Sequence, residues 1–562
     1  MTAMRSSLNN MKHFLKRLLP VILAASVLSG CSEIPDKTSD VTAEAAATAE
    51  STESAEAPPE KIEEIPPADF EIDSESALLK LNAEGGVFDG SARTDGTYDG
   101  NGYIILEKGK TLVHIAEVPA TQHYRIVLAA YSYGGAAISL STGAEGNSGV
   151  YYIPKTDTPQ FEQFSLDSIY MGEGPMLLTF EVLSGTASLD YILIEDSSAA
   201  PNSCYRTPVS VVGKNTGIHT IGTMKYFTDI YGTRMLTAQN VTPGTNAEID
   251  AVYTETGRYP AMRCGDLMYS SAFVDESNAE AAEKEVELAL EWARNGGITS
   301  LGWHWYAPQS YSSDFYANGT TFALSEAVTD RDIATATPEE LQGMLDGAMI
   351  TEDCLLLIKD IDLIAEQLGR FRDEYLTVVW QPLPDGDSDL YWWCGDAASY
   401  RWLWQLMFTR MNEYHQLNNL VWVWNGSSPA FYPGDDYCDI IGQGIFMNSP
   451  ASNAGRFAAL SYISGTCIKP VAMTTCDTIP NADFCKRDNA LWLWTAPASG
   501  EYTIHPNGSY AETYTSWQRL NDAYNSKLCI TRDELPDLST YALNIRPESS
   551  TSDTTDTATS ES

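Results

Sequence analysis

The chain has 562 residues, with 34 Lys and Arg against 76 Asp and Glu, a formal charge of −42. That length accommodates two to four domains at roughly 100–200 residues each. The acidic excess excludes a surface built to grip phosphate backbones or to dock on anionic lipid through a basic patch. With 43% apolar and 10% aromatic residues, the bulk of the chain is globular.

At the N-terminus, Arg5, Lys12, Lys16 and Arg17 precede an apolar run from Leu18 to Leu28 that ends Leu28-Ser29-Gly30-Cys31. A basic start, a short apolar run and small residues before a cleavage point predict an export signal over residues 1–31. The run is too short to span a bilayer, which takes about 20 apolar residues, and an in-frame Met11 would still leave a complete signal. Leu-Ser-Gly-Cys resembles the lipobox of bacterial lipoproteins. The resemblance implies lipidation at Cys31, a place on the bacterial cell surface, and membrane contact through the lipid anchor alone. Nine cysteines remain, an odd number with no Cys-x-x-Cys pair, so zinc-ribbon and thioredoxin-like readings fall away and disulfide pairing stays open. Residues 32–69 are Ala, Glu, Ser, Thr and Pro with few large apolar side chains, which predicts a disordered acidic tether. The Ser/Thr/Asp tail over 547–562 reads the same way.

From 70 to 199, short alternating runs such as Tyr103–Leu106, Tyr124–Leu128, Leu177–Phe180 and Leu189–Ile194 are separated by Gly, Asn and Asp. Frequent turns without helical periodicity predict an antiparallel β-sandwich. From 205 to 535 the character changes. Eight apolar β-rich runs, beginning at Arg234, Tyr259, Ile298, Leu376, Leu420, Asp439, Pro470 and Ala490, alternate with helical stretches such as 277–295, 351–369, 397–415 and 452–462. This alternation predicts an α/β class chain with a (β/α)₈ barrel. No Gly-rich phosphate loop follows the first run.

Reacting groups of such barrels come from the C-terminal strand ends. Those ends carry Asp266, then Trp303-His304-Trp305, then Asp385, Asp387 and Asp389 with Trp392 and Trp393. Asn425, Gln443, Thr475 with Asp477, and Trp494 complete the set. Tryptophans, acids and amides around one mouth suit sugar, whose apolar faces stack on indole while hydroxyls bond to carboxylates and amides. Asp266, Trp303, His304, Trp392, Trp393 and Trp494 are therefore the candidate substrate-binding residues.

The segments Thr256-Gly257-Arg258-Tyr259-Pro260-Ala261, Gly297-Ile298-Thr299-Ser300-Leu301-Gly302-Trp303-His304, Asn418-Asn419-Leu420-Val421-Trp422-Val423-Trp424 and Tyr432-Pro433-Gly434-Asp435-Asp436-Tyr437 resemble glycoside hydrolase family 26, the retaining β-mannanases. The resemblance implies an acid/base Glu after Trp-Arg-Pro-Leu-His, where this chain has Trp380-Gln381-Pro382-Leu383-Pro384-Asp385. It implies Gly-x-Asp-x-Tyr where the chain reads Gly442-Gln443-Gly444-Ile445-Phe446, and a nucleophile Glu where Thr475 follows Pro470-Val471-Ala472-Met473-Thr474. Asp385 thus takes the acid/base position, and Thr475 takes the nucleophile position without being competent there. A retaining glycosidase needs two carboxyl groups about 5–5.5 Å apart.

Three readings follow. The first is a lipoprotein that binds plant β-mannan or a related polysaccharide with hydrolysis lost or strongly impaired. The second is a working endo-1,4-β-mannanase using displaced carboxylates, Asp477 or one of Asp385, Asp387 and Asp389. The third is the oligosaccharide-binding lipoprotein of a transporter, which requires two hinged lobes. Phe70-Glu71-Ile72-Asp73, Gly100-Asn101-Gly102-Tyr103-Ile104 and Leu189-Asp190-Tyr191-Ile192 resemble carbohydrate-binding modules of family 35 or 6. That likeness implies a structural calcium held by Glu71, Asp73 and Asp190, while the barrel is expected to need no cofactor.

Overall fold

The computed structural model describes residues 77–143, 148–308, 314–463 and 469–542. The signal with Cys31, the tether over 32–69, Glu71 and Asp73, and the tail over 547–562 lie outside the described residues.

The N-terminal region is all antiparallel. Its strands are β1 (Ala77–Asn82), β2 (Val87–Phe88), β3 (Ser91–Arg93), β4 (Tyr103–Glu107), β5 (Thr111–Val118), β6 (Gln122–Tyr131), β7 (Ala136–Ser141), β8 (Ser148–Ile153), β9 (Glu162–Met171) and β10 (Gly174–Asp196). The long strand β10 belongs to two sheets. Its first half pairs with β5 and β7, and its second half with β1, β4 and β6. It changes sheets at a bulge between Val182 and Ser184, followed by Gly185 at φ +72°. A Cβ on Gly185 would lie 2.1 Å from the Gly135 carbonyl oxygen, so only glycine fits there. Alternate residues of each strand face inward, and Leu112, Ile126, Leu128, Ile138, Leu140, Phe180 and Ile192 close one apolar core.

The C-terminal region is a closed parallel barrel. Its eight strands are β11 (Met235–Asn240), β12 (Met262–Asp266), β13 (Ile298–Trp303), β14 (Val378–Pro382), β15 (Leu420–Asn425), β16 (Ile440–Ile445), β17 (Val471–Cys476) and β18 (Trp494–Pro497). They pair in that order, and β18 closes back onto β11 through Leu236 and Trp494. A short strand β19 (Cys529–Ile530) adds to the start of β11. Nearly every barrel-strand residue is buried, as expected when helices cover a parallel sheet. The helices Ala279–Arg294, Glu352–Asp373, Ala397–Thr409 and Ala454–Ser461 occupy the places the periodicity predicts.

Two strand positions differ from the sequence expectation. The apolar run from Tyr259 leads into β12, which begins only at Met262, so Asp266 is the last strand residue. The run from Ala490 likewise precedes β18, which starts at Trp494, because Leu491, Trp492 and Leu493 are core residues of an irregular approach. A closed barrel is not the two-lobed hinge that the transporter reading requires. The eight cysteines among the described residues are free thiols. Among the described residues no helix is long and apolar enough to cross a membrane.

Candidate functional site

The loop after β14 carries the acid/base position. Leu383 and Asp385 both hold left-handed backbone, at φ +50° and +49°, a strained state for non-glycine residues. Three side-chain donors fix it. Tyr400 Oη donates to the Leu383 carbonyl at 3.0 Å, Trp393 Nε1 to the Pro384 carbonyl at 3.0 Å, and Cys394 Sγ to the Asp385 carbonyl at 3.3 Å. Asp387 accepts the backbone N–H groups of Ser427 and Ser428 at 2.8 and 2.7 Å. Asp389 pairs with Lys108 of the sandwich. Of the three acids in this loop, only Asp385 has a carboxylate that receives no hydrogen bond among the described residues. Burial, then the charge of Asp387, push its pKa up to about 6, with His304 opposing.

Asp266 and His304 lie beside it. Asp266 accepts from His304 Nδ1 at 2.6 Å and from the His304 backbone N–H at 3.1 Å. Burial works against the imidazolium, but the charge and hydrogen bond of Asp266, helped by Asp385, outweigh it and raise the pKa of His304. Tyr391 stands edge-on to His304 with ring centroids 5.5 Å apart and stacks on Trp393 at 4.5 Å. The structure therefore brings Asp266, His304 and Asp385 together, and adds Tyr391. That tyrosine directly precedes Trp392-Trp393, and its adjacency was the signal available in the sequence.

The four tryptophans expected as stacking faces are walls. Trp303, Trp393 and Trp494 have no exposed surface and Trp392 is 4% exposed. Trp303 stacks on Trp305 with centroids 4.0 Å apart. Trp305 donates to buried Asp360 at 2.5 Å, and Trp392 donates to the Trp305 carbonyl at 2.5 Å. Trp494 begins its strand and lies against Phe227, on the side away from the mouth. Indoles with both faces packed cannot meet sugar. Exposed rings after the strand ends include Tyr316 and Phe446, 45% and 51% exposed. Tyr316 stacks on Tyr391, and Phe446 meets Tyr502 edge-on.

At the nucleophile strand, Met473 and Thr475 pair with Gln443 and Gly444, leaving Thr474 as an extra bulged residue. Thr475 is half-buried beside Gly444 and Phe446 and supplies no carboxylate. Thr474 turns to the barrel interior and starts a chain of neutral hydrogen bonds. Its hydroxyl donates to Asn425 Oδ1 at 2.5 Å, and Asn425 Nδ2 to Gln381 Oε1 at 3.1 Å. Gln381 Nε2 then donates to Ser300 Oγ at 2.6 Å, and Ser300 Oγ to the Val379 carbonyl at 2.9 Å. Gly442 makes room for it, because a Cβ there would sit 2.2 Å from Asn425 Oδ1. Single-residue reading missed this network; only its members at strand ends were visible. Asp477 is buried and accepts the Asn448 N–H at 2.7 Å, so it closes a loop.

In the sandwich, Asp190 is buried and both its oxygens accept the Asp99 N–H, at 3.1 and 3.0 Å. Burial, then Glu84, push its pKa up to about 7. Glu84 was absent from the expected calcium set. One of its oxygens accepts the Asn101 N–H at 2.8 Å, while Oε2 is buried with no partner. Two adjacent acids with an orphaned oxygen fit an oxygen-ligated cation, although among the described residues no group of three or more His, Cys, Asp or Glu is arranged to hold a metal ion.

A closed (β/α)₈ barrel with acids, a histidine and aromatic rings gathered after the strand ends is the architecture of barrel glycoside hydrolases. The chain belongs to glycosyl hydrolase family 26, whose model matches residues 212–534. It is similar to the mannan endo-1,4-β-mannosidase of Thermothelomyces thermophilus, 28% identical over 455 residues that span 78% of this chain and 86% of that one. It is also similar to mannan endo-1,4-β-mannosidase B of Piromyces, 26% identical over 81% of this chain and 76% of that one. Among solved structures, the Podospora anserina GH26-CBM35 β-(1,4)-mannanase aligns with TM-score 0.51 and 23% identity over 83% of this chain and all of that one. A ruminal GH26 endo-β-1,4-mannanase aligns with TM-score 0.55 and 21% identity over 82% and 98%. The last two likenesses concern the fold.

Proposed function

We propose that this chain is a cell-surface lipoprotein that captures β-mannan or a related β-linked glycan, with hydrolysis lost or strongly impaired. The observation that carries the reading is the neutral floor of the mouth. Where bond cleavage with retention needs a second carboxylate, the chain has Thr475, and behind it a satisfied network of Thr474, Asn425, Gln381 and Ser300. A threonine hydroxyl becomes a nucleophile only beside a base, and Asp477 is committed to Asn448. The mannan-acting names of the relatives support a mannan-type ligand. Asp266, His304, Tyr391, Tyr316 and Phe446 would receive it.

The sandwich is read as a carbohydrate-binding module of the family 35 or 6 type. The Podospora likeness extends through it at the level of fold, and a calcium ion at Glu84 and Asp190 belongs to the same proposal. Anchorage at Cys31 is proposed from the lipobox resemblance. A second reading, an active endo-1,4-β-mannanase, is favoured by Asp385, since a carboxyl titrating near pH 6 is suited to protonating a leaving oxygen.

Affinity electrophoresis through galactomannan tests the capture reading. The full chain should be retarded, and Asp266→Ala and His304→Ala should run faster than it. Unretarded wild-type migration would dismiss capture of this polymer.

A further inference from the structure

We infer that the barrel carries a second glycan site on the face opposite the mouth, built around Tyr375. Tyr375 is 76% exposed and holds φ +60°. A bulky residue seldom adopts left-handed backbone, and such strain persists where the surroundings impose it. Here the turn after the helix Glu352–Asp373 imposes it, with the Tyr375 N–H donating to the Arg372 carbonyl at 2.9 Å. The turn holds the ring out from the surface just before β14, at the strand starts.

Two hollows flank that ring. One, of about 500 Å³, is lined by Ile218, His219, Arg372, Asp373 and Asn418. The other, of about 280 Å³, shares His219 and Tyr375 and reaches Thr377 and Ser539. His219 is only 8% exposed, and its Nε2 is buried with no hydrogen-bond partner. Its ring meets Tyr375 edge-on with centroids 6.1 Å apart. An orphaned buried nitrogen costs stability, and His219 lines both hollows, so a ligand hydroxyl that moves the ring slightly would supply the missing partner. The Asn418 backbone carbonyl accepts the Gly217 N–H at 2.8 Å, and Asn418 lines the first of the two hollows.

An exposed aromatic face, an amide, an imidazole and an Arg–Asp pair around one hollow match a hexose ring. The apolar C–H face lies on Tyr375 and hydroxyls bond to the polar groups. Asp373 beside Arg372 disfavours a phosphate, and the net charge of −42 disfavours polyanions generally. The site is independent of the residues that decide hydrolysis. With the mouth on the opposite face, a long polymer held at both points gains avidity.

The test is calorimetric titration of the full chain with mannohexaose, and in a second arm with cellohexaose. Tyr375→Ala and His219→Ala are expected to weaken one saturable site by about tenfold or more. Tyr375→Ala should leave the thermal midpoint unchanged, and both variants should leave any site sensitive to His304→Ala unchanged. Binding indifferent to Tyr375→Ala, or none beyond the His304-dependent site in either arm, overturns the inference. A single site lost in Tyr375→Ala and indifferent to His304→Ala would sustain this site and remove the reading of the mouth.

Discussion

The wall of the barrel and the floor of its mouth treat charge in opposite ways. Behind β12, Arg263 and Glu285 are fully buried and joined twice, at 2.6 and 2.9 Å, with Asn246 and the Gly244 N–H satisfying what remains. At the mouth, positions where the family places Arg, Asp and Glu hold Gln381, Gly444 and Thr475, and the interior is bridged by amides and hydroxyls alone. The barrel keeps a fully paired buried charge where it ties a helix to a strand, whereas at the mouth a neutral network lies beneath Asp385 and the Asp266–His304 pair. Complete pairing makes the wall pair durable, and complete neutrality makes the floor durable.

The sharpest way to break this comparison is to put the acids back. Asp385→Glu with Thr475→Glu should give detectable cleavage of galactomannan, at least about 10²-fold below an unmodified family enzyme, because Gln381, Pro384, Gly444 and Phe446 still misplace the pair. Full activity in that double variant would show that the neutral floor is irrelevant. On the wall side, Arg263→Ala should cost about 3–5 kcal/mol by leaving Glu285 buried and unpaired. Denaturant unfolding checks this, and a loss under 1 kcal/mol would contradict it.

Asp385 makes a smaller, pH-dependent prediction. Its folded pKa of about 6 lies above the ordinary 3.8, so ionising it costs stability as pH rises between those values, with the full cost present above about pH 6. Asp385→Asn should therefore stabilise the chain by about 1–3 kcal/mol at pH 7.5 and by little at pH 4. Equal midpoints for variant and wild type at pH 7.5 would refute it. His304 runs the other way. Its raised pKa makes the pair with Asp266 complete below pH 6.5, and the contribution fades as pH rises through the folded value. His304→Gln should lose about 0.5–1 kcal/mol at pH 6 and less at pH 9, read from thermal unfolding at both.

Barrel and sandwich were legible in the sequence because both rest on periodicity: alternation in runs such as Thr111–Val118, and eight β-rich runs separated by helices. That Asp266, His304 and Asp385 would lie together was legible because all three sit at or just after the C-terminal ends of barrel strands. The tryptophans misled for a physical reason. Position near a strand end does not say which way an indole faces, and Trp303, Trp392, Trp393 and Trp494 proved to be packing. The last of these was also misplaced by four residues of apolar chain before β18. Glu84 and the Ser300–Gln381–Asn425–Thr474 chain were hidden because each joins residues far apart in sequence, and the bulge that selects Thr474 has no local signature.

The most direct test of the neutral floor is a reducing-end assay with the unmodified full chain on galactomannan, alongside Asp385→Asn and Asp477→Asn. The neutral floor predicts no release above that of the two variants, with the polymer retaining its length. Shortened polymer from the wild type, abolished in Asp385→Asn, would contradict it and establish a working hydrolase.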